Sequence, residues 1–240
     1  MTPLVWGNTL RHPSFLPKPP FAPHIESLGG RGRFLDVTPM RPAIIPGHLQ
    51  AGYGNRLAPN YVTLPGILSP EECERLIARF ETRELEDGGL VGEVSAPDVR
   101  RADLVWLDAE RVDQWVLTRM MTLVADANRE MFDFVLGGFD EALQLTRYRA
   151  DALGHYDWHA DRGGAGFSRF RKLSVVVQLS QPETYEGGDL EINATGIVEA
   201  MPRDRGMAIL FPSHALHRIT PVTNGTRHSL VTWVHGPNFR

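Results

Sequence analysis

The residues best able to do chemistry stand in the second half of the chain. His159-Ala160-Asp161 sets an imidazole and a carboxylate two positions apart. On a strand, residues i and i+2 project from the same face, so this pair can reach one metal ion. His217 stands at the start of a later apolar run, and Arg227 follows ten residues on. Two imidazoles and one carboxylate on one side of a metal leave positions free for exchangeable ligands, the arrangement of non-haem Fe(II) oxygenases. An arginine on a neighbouring strand can then grip a carboxylate with its planar fork, which lysine lacks. Cys73 is the single cysteine, which rules out an intrachain disulfide and any multi-cysteine metal site. His12, His24 and His48 lie in a proline-rich stretch and have no partner in the sequence.

Two other classes use similar residues. A metal-binding β-barrel without catalysis would also show two histidines and an aspartate, yet it has no need of a guanidinium ten residues past its last ligand. A zinc hydrolase wants a general base beside its metal-bound water. Glu183, Glu186 and Glu191 are the nearby carboxylates for that role.

The elements that must position these groups change character along the chain. Ten of the eighteen prolines fall in residues 1–60, a density that prevents helices and central strands, so 1–60 reads as an irregular arm. The body, 61–240, opens with a short strand at Tyr61–Leu64. Ser69-Pro70-Glu71-Glu72 then predicts a helix start, with Ser69 as cap, Pro70 in the first turn and Glu72 closing a capping box. Cys73, Leu76, Ile77 and Phe80 make one apolar face, which assigns Cys73 to the core. A second helix is expected from Ala109 to Phe134, its stripe formed by Val112, Trp115, Val116, Met120, Leu123, Ala127 and Met131.

From Leu143 onward the period becomes strand-like. Leu143–Tyr148, Tyr156–Asp161, Lys172–Leu179, Asp189–Asn193, Ile197–Met201, Met207–Phe211, Leu216–Thr220 and His228–His235 are short apolar runs divided by turn residues. About eight closely spaced strands predict an antiparallel sandwich or barrel with the helices packed outside, an α+β chain with a β core. At 42% hydrophobic and 22% charged with net charge −4, the chain offers no electrostatic attraction for nucleic acid or an anionic membrane. No apolar run reaches the ~18 residues of a membrane span, and the first residues lack a signal-peptide core, so a cytoplasmic location is expected.

Several blocks together resemble the Fe(II)- and 2-oxoglutarate-dependent dioxygenase superfamily, in its prolyl 4-hydroxylase-like group, and are most similar to the PKHD-type hydroxylases. They are Tyr156-Asp-Trp-His-Ala-Asp161, Leu173–Ser180, Tyr185-Glu-Gly-Gly-Asp-Leu190, Phe211-Pro-Ser213 and His217–Arg227, in that order. The resemblance covers roughly residues 60–240 and implies a double-stranded β-helix, or jelly roll. It implies that His159, Asp161 and His217 ligate Fe(II), and that Arg227 pairs with the distal carboxylate of 2-oxoglutarate. Ser229 would donate to the same carboxylate, and Tyr148 would line the co-substrate pocket, while Trp233 reads as a wall of the barrel. With Asp161 present, hydroxylation is expected, with release of succinate and CO2 and with ascorbate as a further cofactor. The substrate would be a small molecule or a peptidyl residue. The basic, glycine-rich segment Arg162–Lys172 has two readings, a loop that recognises acidic substrates or a solvated connector.

One further expectation concerns parity. His217 and Arg227 must both face inward to share a site. If Asn224-Gly225 closes a hairpin between them, a two-residue loop turns Arg227 outward. A three-residue loop, Thr223–Gly225, would oppose Val231 to His217 and keep Arg227, Ser229, Val231 and Trp233 inside. An odd-length loop with Gly225 at positive φ in a bulge is therefore predicted.

Overall fold

The computed structural model describes residues 58–82, 98–107, 113–164 and 166–239, with the backbone of Ile45–Pro46 and Glu86–Asp87. The arm expected over 1–60 lies almost wholly outside the described residues. In chain order the strands are β1 (Ile45–Pro46), β2 (Val62–Leu64), β3 (Glu86–Asp87), β4 (Arg100–Arg101), β5 (Asp103–Trp106), β6 (Gln144–Arg149) and β7 (His155–His159). They continue with β8 (Arg171–Gln178), β9 (Tyr185–Gly187), β10 (Leu190–Asn193), β11 (Glu199–Ala200), β12 (Ala208–Pro212), β13 (Leu216–Ile219) and β14 (Val222–His235). Two antiparallel sheets result. The larger runs β1-β2-β12-β8-β14-β6-β5-β3, with β9 paired to the start of β14, and the smaller runs β11-β10-β13-β7-β4. This is the expected jelly roll, enlarged by strands that precede and interrupt the helices.

Strand β8 shows how the layers form. All eight of its residues are buried, as a short apolar run covered on both faces must be. Leu173, Val175 and Val177 pack with Leu230, Val234 and the helices in one core. Val176 packs in a second core with Ile209 and Phe211 of β12, Ile192 of β10 and Ile219 of β13, between the two sheets. Cross-strand partners share a face, so the register assigns sides. Ser229, Val231 and Trp233 of β14 oppose Gln178, Val176 and Ser174 of β8, and Arg227 opposes Tyr148 of β6. All of these line the space between the sheets. From the smaller sheet, His217 opposes His159 and Ile192, and Ile219 opposes Tyr156.

The helices cover the outer face of the larger sheet. In α1 (Pro70–Ile77) the Ser69 hydroxyl accepts the Glu72 N–H and the Glu72 carboxylate accepts the Ser69 N–H, the reciprocal cap expected. Cys73 and Leu76 are fully buried, and Phe80 nearly so from α2 (Arg79–Thr82). The described part of the second helix, α3 (Gln114–Ala127), buries Val116, Met120, Leu123 and Ala127. It does not stay α-helical to Phe134. A π turn at Asn128–Phe132 closes it, with Asp133 at φ 53° and the Asn128 side chain bonded to both backbone polar groups of Phe134.

Two strand expectations need correction. The run Ile197–Met201 pairs only at Glu199–Ala200, and Ile197 and Val198 are exposed. The hairpin between Leu216–Thr220 and His228–His235 does not exist. Strands β13 and β14 belong to different sheets, the chain crossing between them at Thr220-Pro221, so Val231 opposes Val176 and not His217. Asn224-Gly225 lies within β14, where the register against β9 shifts. Gly225 has the expected positive φ, +68°, and a Cβ there would stand 2.0 Å from the Thr184 carbonyl oxygen, but it pairs regularly with Tyr185 and the register shifts earlier, between Val222 and Asn224, so the odd-length loop and the bulge at the glycine are both absent.

Candidate active site

His159, Asp161 and His217 converge: one ligand atom from each lies within 4.8 Å of the others. His159 ends β7, Asp161 follows just beyond the strand, and His217 stands on β13 beside them. The Nε2 atoms of His159 and His217 lie 3.7 and 3.5 Å from the two carboxylate oxygens of Asp161. Each imidazole is oriented from behind. The His159 Nδ1 donates to the Asp157 carbonyl at 2.7 Å, and the His217 Nδ1 to the Ala215 carbonyl at 3.0 Å. A carbonyl only accepts, so in each ring Nδ1 carries a proton and Nε2 is the atom turned toward Asp161. Tyr156 stacks on the His159 ring at 3.5 Å between centroids, and Phe211 packs against His217 at 4.7 Å.

The protonation states suit a cation. Burial pushes the His159 imidazole down to about 3, helped by the neighbouring His217, so it is neutral at pH 7. Burial by itself would raise Asp161. The nearby imidazoles of His217 and His159, the Arg171 guanidinium and a hydrogen bond from Ser174 outweigh it and hold the carboxyl at about 2. The Ser174 hydroxyl donates to Asp161 Oδ2 at 2.7 Å and stands 2.9 Å from the Ser213 hydroxyl. Two imidazoles and one ionised carboxylate held by a neighbouring hydroxyl are the donor set that a first-row divalent ion accepts.

Across the same space lies Arg227, 1% exposed. Its Nη2 donates to Gln178 Oε1 at 2.9 Å and its Nη1 lies 3.4 Å from Ser229 Oγ, while its Nε has no partner among the described residues. Among the described residues no carboxylate pairs with it. A buried guanidinium left with neutral partners is built to receive an anion. The Tyr148 ring, itself buried, stands 5.5 Å from the guanidinium carbon. Gly188 makes room for the arginine stem, because a Cβ there would lie 3.0 Å from Arg227 Cδ. Trp233 walls the interior with its indole N–H unpartnered.

The structure thus brings together the predicted His159, Asp161 and His217, and sets Arg227, Ser229 and Tyr148 on the facing sheet. Ser174 and Gln178 were missed, though a signal existed. They are the two polar residues inside the apolar run of β8, both even-numbered and so on one face. The basic segment proves mostly inward-bound. Arg171 pairs bidentately with Glu141, Lys172 is buried over the Phe239 ring at 3.7 Å, and Arg162 donates to Asn238, leaving Arg169 exposed. Of the carboxylates that a hydrolase would need, Glu191 is bound to Arg218 on the outer face, and Glu183 and Glu186 are exposed.

Comparison with known proteins agrees with this geometry. Residues 143–235 match the family model described as the 2OG-Fe(II) oxygenase superfamily. A PKHD-type hydroxylase from Gloeothece citriformis is 30% identical over 176 residues, covering 72% of this chain and 76% of the relative. A Pseudomonas putida prolyl-4-hydroxylase superposes with a TM-score of 0.61 at 22% identity, over 74% of this chain and 93% of that one. A prolyl hydroxylase from Trichoplax adhaerens, in complex with a hypoxia-inducible-factor peptide fragment, superposes with a TM-score of 0.62 at 15% identity, over 73% and 83%.

Proposed function

Because the chain belongs to the PKHD-type hydroxylases of the 2OG-Fe(II) oxygenase superfamily, and so is an Fe(II)- and 2-oxoglutarate-dependent hydroxylase, we propose the role of each residue in its site. His159, Asp161 and His217 hold the iron, Arg227 with Ser229 holds the distal carboxylate of 2-oxoglutarate, and Tyr148 lines the co-substrate pocket. Iron with 2-oxoglutarate and dioxygen supplies the oxidising power, with succinate and CO2 released as a substrate C–H is hydroxylated. The chain supplies the rest. Two backbone carbonyls hold the Nδ1 protons, Ser174 steadies the carboxylate, and the apolar core between the sheets walls the site. The observation that carries the co-substrate assignment is the buried Arg227 with only neutral partners, which a plain metal-binding barrel would not maintain.

For the substrate we favour a peptidyl residue, proline first. The support is the fold shared with two prolyl hydroxylases, one of them held with a peptide fragment. No described helix is long and apolar enough to cross a membrane. The test is succinate formation from 2-oxoglutarate with Fe(II), measured over proline-containing peptides, free amino acids and small metabolites. Stimulation by prolyl peptides with a mass gain of one oxygen on proline supports the reading. Stimulation confined to a free amino acid or metabolite overturns it.

A further inference from the structure

We infer that Gln178 is a positioning residue that keeps Arg227 open to an anionic ligand, and that its being an amide and not a carboxylate sets the preference for a 2-oxo acid with a charged tail. The inference rests on the reading that Arg227 receives the distal carboxylate. Gln178 is 2% exposed on β8 and opposes Ser229 across the sheet. Its two amide ends are committed. The Nε2 donates to the Pro202 carbonyl at 3.1 Å, so the Oε1 must point the other way, where it accepts Arg227 Nη2 at 2.9 Å. The amide therefore cannot flip without losing both bonds.

This fixes one corner of the guanidinium while leaving its full charge and its Nε–H unmatched. A glutamate at 178 has nearly the same shape but carries a negative charge. It would close Arg227 into an internal ion pair, as Glu141 closes Arg171 elsewhere in this protein. Ser229 is the other near partner, and it too is neutral.

The experiment uses the Co(II)-loaded full chain and two probes, 2-oxoglutarate and 2-oxopentanoate, which share length but differ in the distal carboxylate. Wild type should prefer 2-oxoglutarate strongly. Gln178→Glu should weaken 2-oxoglutarate by about 30-fold or more, as loss of a charge-assisted contact requires. It should leave 2-oxopentanoate and Co(II) affinity unchanged, so the preference collapses; a general disturbance of the pocket would move all three. Gln178→Met, which removes orientation without adding charge, should cost 2-oxoglutarate about 3–10-fold, and it decides the matter if the glutamate variant does not fold. If wild type shows no preference between the probes, the Arg227 reading fails and this inference with it. If wild type discriminates and both variants discriminate equally well, the role of Gln178 alone is overturned.

Discussion

Arg171 and Arg227 are both arginines buried at the sheet interior, and they differ in what faces them. Arg171 is 6% exposed, takes both oxygens of Glu141, lies 3.7 Å over the Trp233 ring and also reaches the Asp161 backbone carbonyl. His235 binds the same Glu141 at 2.7 Å. Burial would raise the Glu141 carboxyl, and Arg171 and His235 outweigh it and hold it below the usual range. Arg227 has an amide, a hydroxyl and an unpartnered Nε. A cation desolvated and matched inside the chain serves the architecture. A cation desolvated and left unmatched spends folding free energy that a ligand can recover. That difference separates a structural arginine from a binding one more clearly than burial does.

The largest expected effect comes from opening the closed pair. Glu141→Leu leaves Arg171 charged and buried without its carboxylate, so thermal or urea unfolding should show a loss of about 3–5 kcal/mol. An effect under about 1 kcal/mol would mean that water reaches Arg171 and that the contrast with Arg227 is overstated.

Next in size is the pH response of His228, which stands beside Arg227 on β14 but faces Phe80 and Ser180. Burial, with Arg147 and Arg227, pushes its imidazole down to about 4. The unfolded chain takes up a proton near 6.5 that the folded chain refuses until about 4. Stability is therefore present at neutral pH and lost as pH falls through that window, by roughly 3 kcal/mol from this group. His159, also pushed down, acts in the same direction. His228→Asn should flatten the profile of ΔG against pH between 6.5 and 4, and an unchanged slope would assign the effect elsewhere.

Ser174→Ala tests the support of the metal carboxylate. Removing the donor to Asp161 should weaken Co(II) binding by about 10–100-fold with little change in unfolding free energy. Equal affinity would mean that Asp161 is held by its backbone alone. The smallest effect belongs to Ser69→Ala, which removes the cap of α1 far along the chain from the site. It should cost about 1 kcal/mol of stability and leave 2-oxoglutarate binding intact.

What could be read from the sequence was what depends on short spacing. The Ser69 cap, the apolar face of Cys73 and Leu76, and the pairing of His159 with Asp161 all need only residues a few positions apart, although β7 ends at His159 and not at the expected Asp161. Gly225 does adopt a positive φ, although the three-residue loop from which that was argued is absent. Illegible was anything decided by which strand meets which. Asn224-Gly225 carries a strong hairpin signal, yet the chain had already changed sheets at Pro221, and the β9 pairing puts the register shift between Val222 and Asn224, ahead of the glycine. The short strands β3, β4 and β5 owe their existence to pairing with β5, β7 and β6 in turn and carry no pattern of their own. Glu141 and Arg171 lie thirty residues apart and Gln178 and Arg227 forty-nine, so no local rule links them. For this reason the basic segment could be read as substrate-facing when Arg171 and Lys172 turn inward.

Arg227 is proposed to serve the ligand and not the fold, and titration of 2-oxoglutarate into Co(II)-loaded wild type and Arg227→Lys distinguishes the two roles. Lysine keeps the charge and loses the fork. In Arg227→Lys, 2-oxoglutarate affinity should be about 10–100-fold weaker with Co(II) affinity unchanged, because His159 and His217 stand on the other sheet. Unchanged 2-oxoglutarate affinity in a folded Arg227→Lys protein would contradict it and assign the distal carboxylate to another cation.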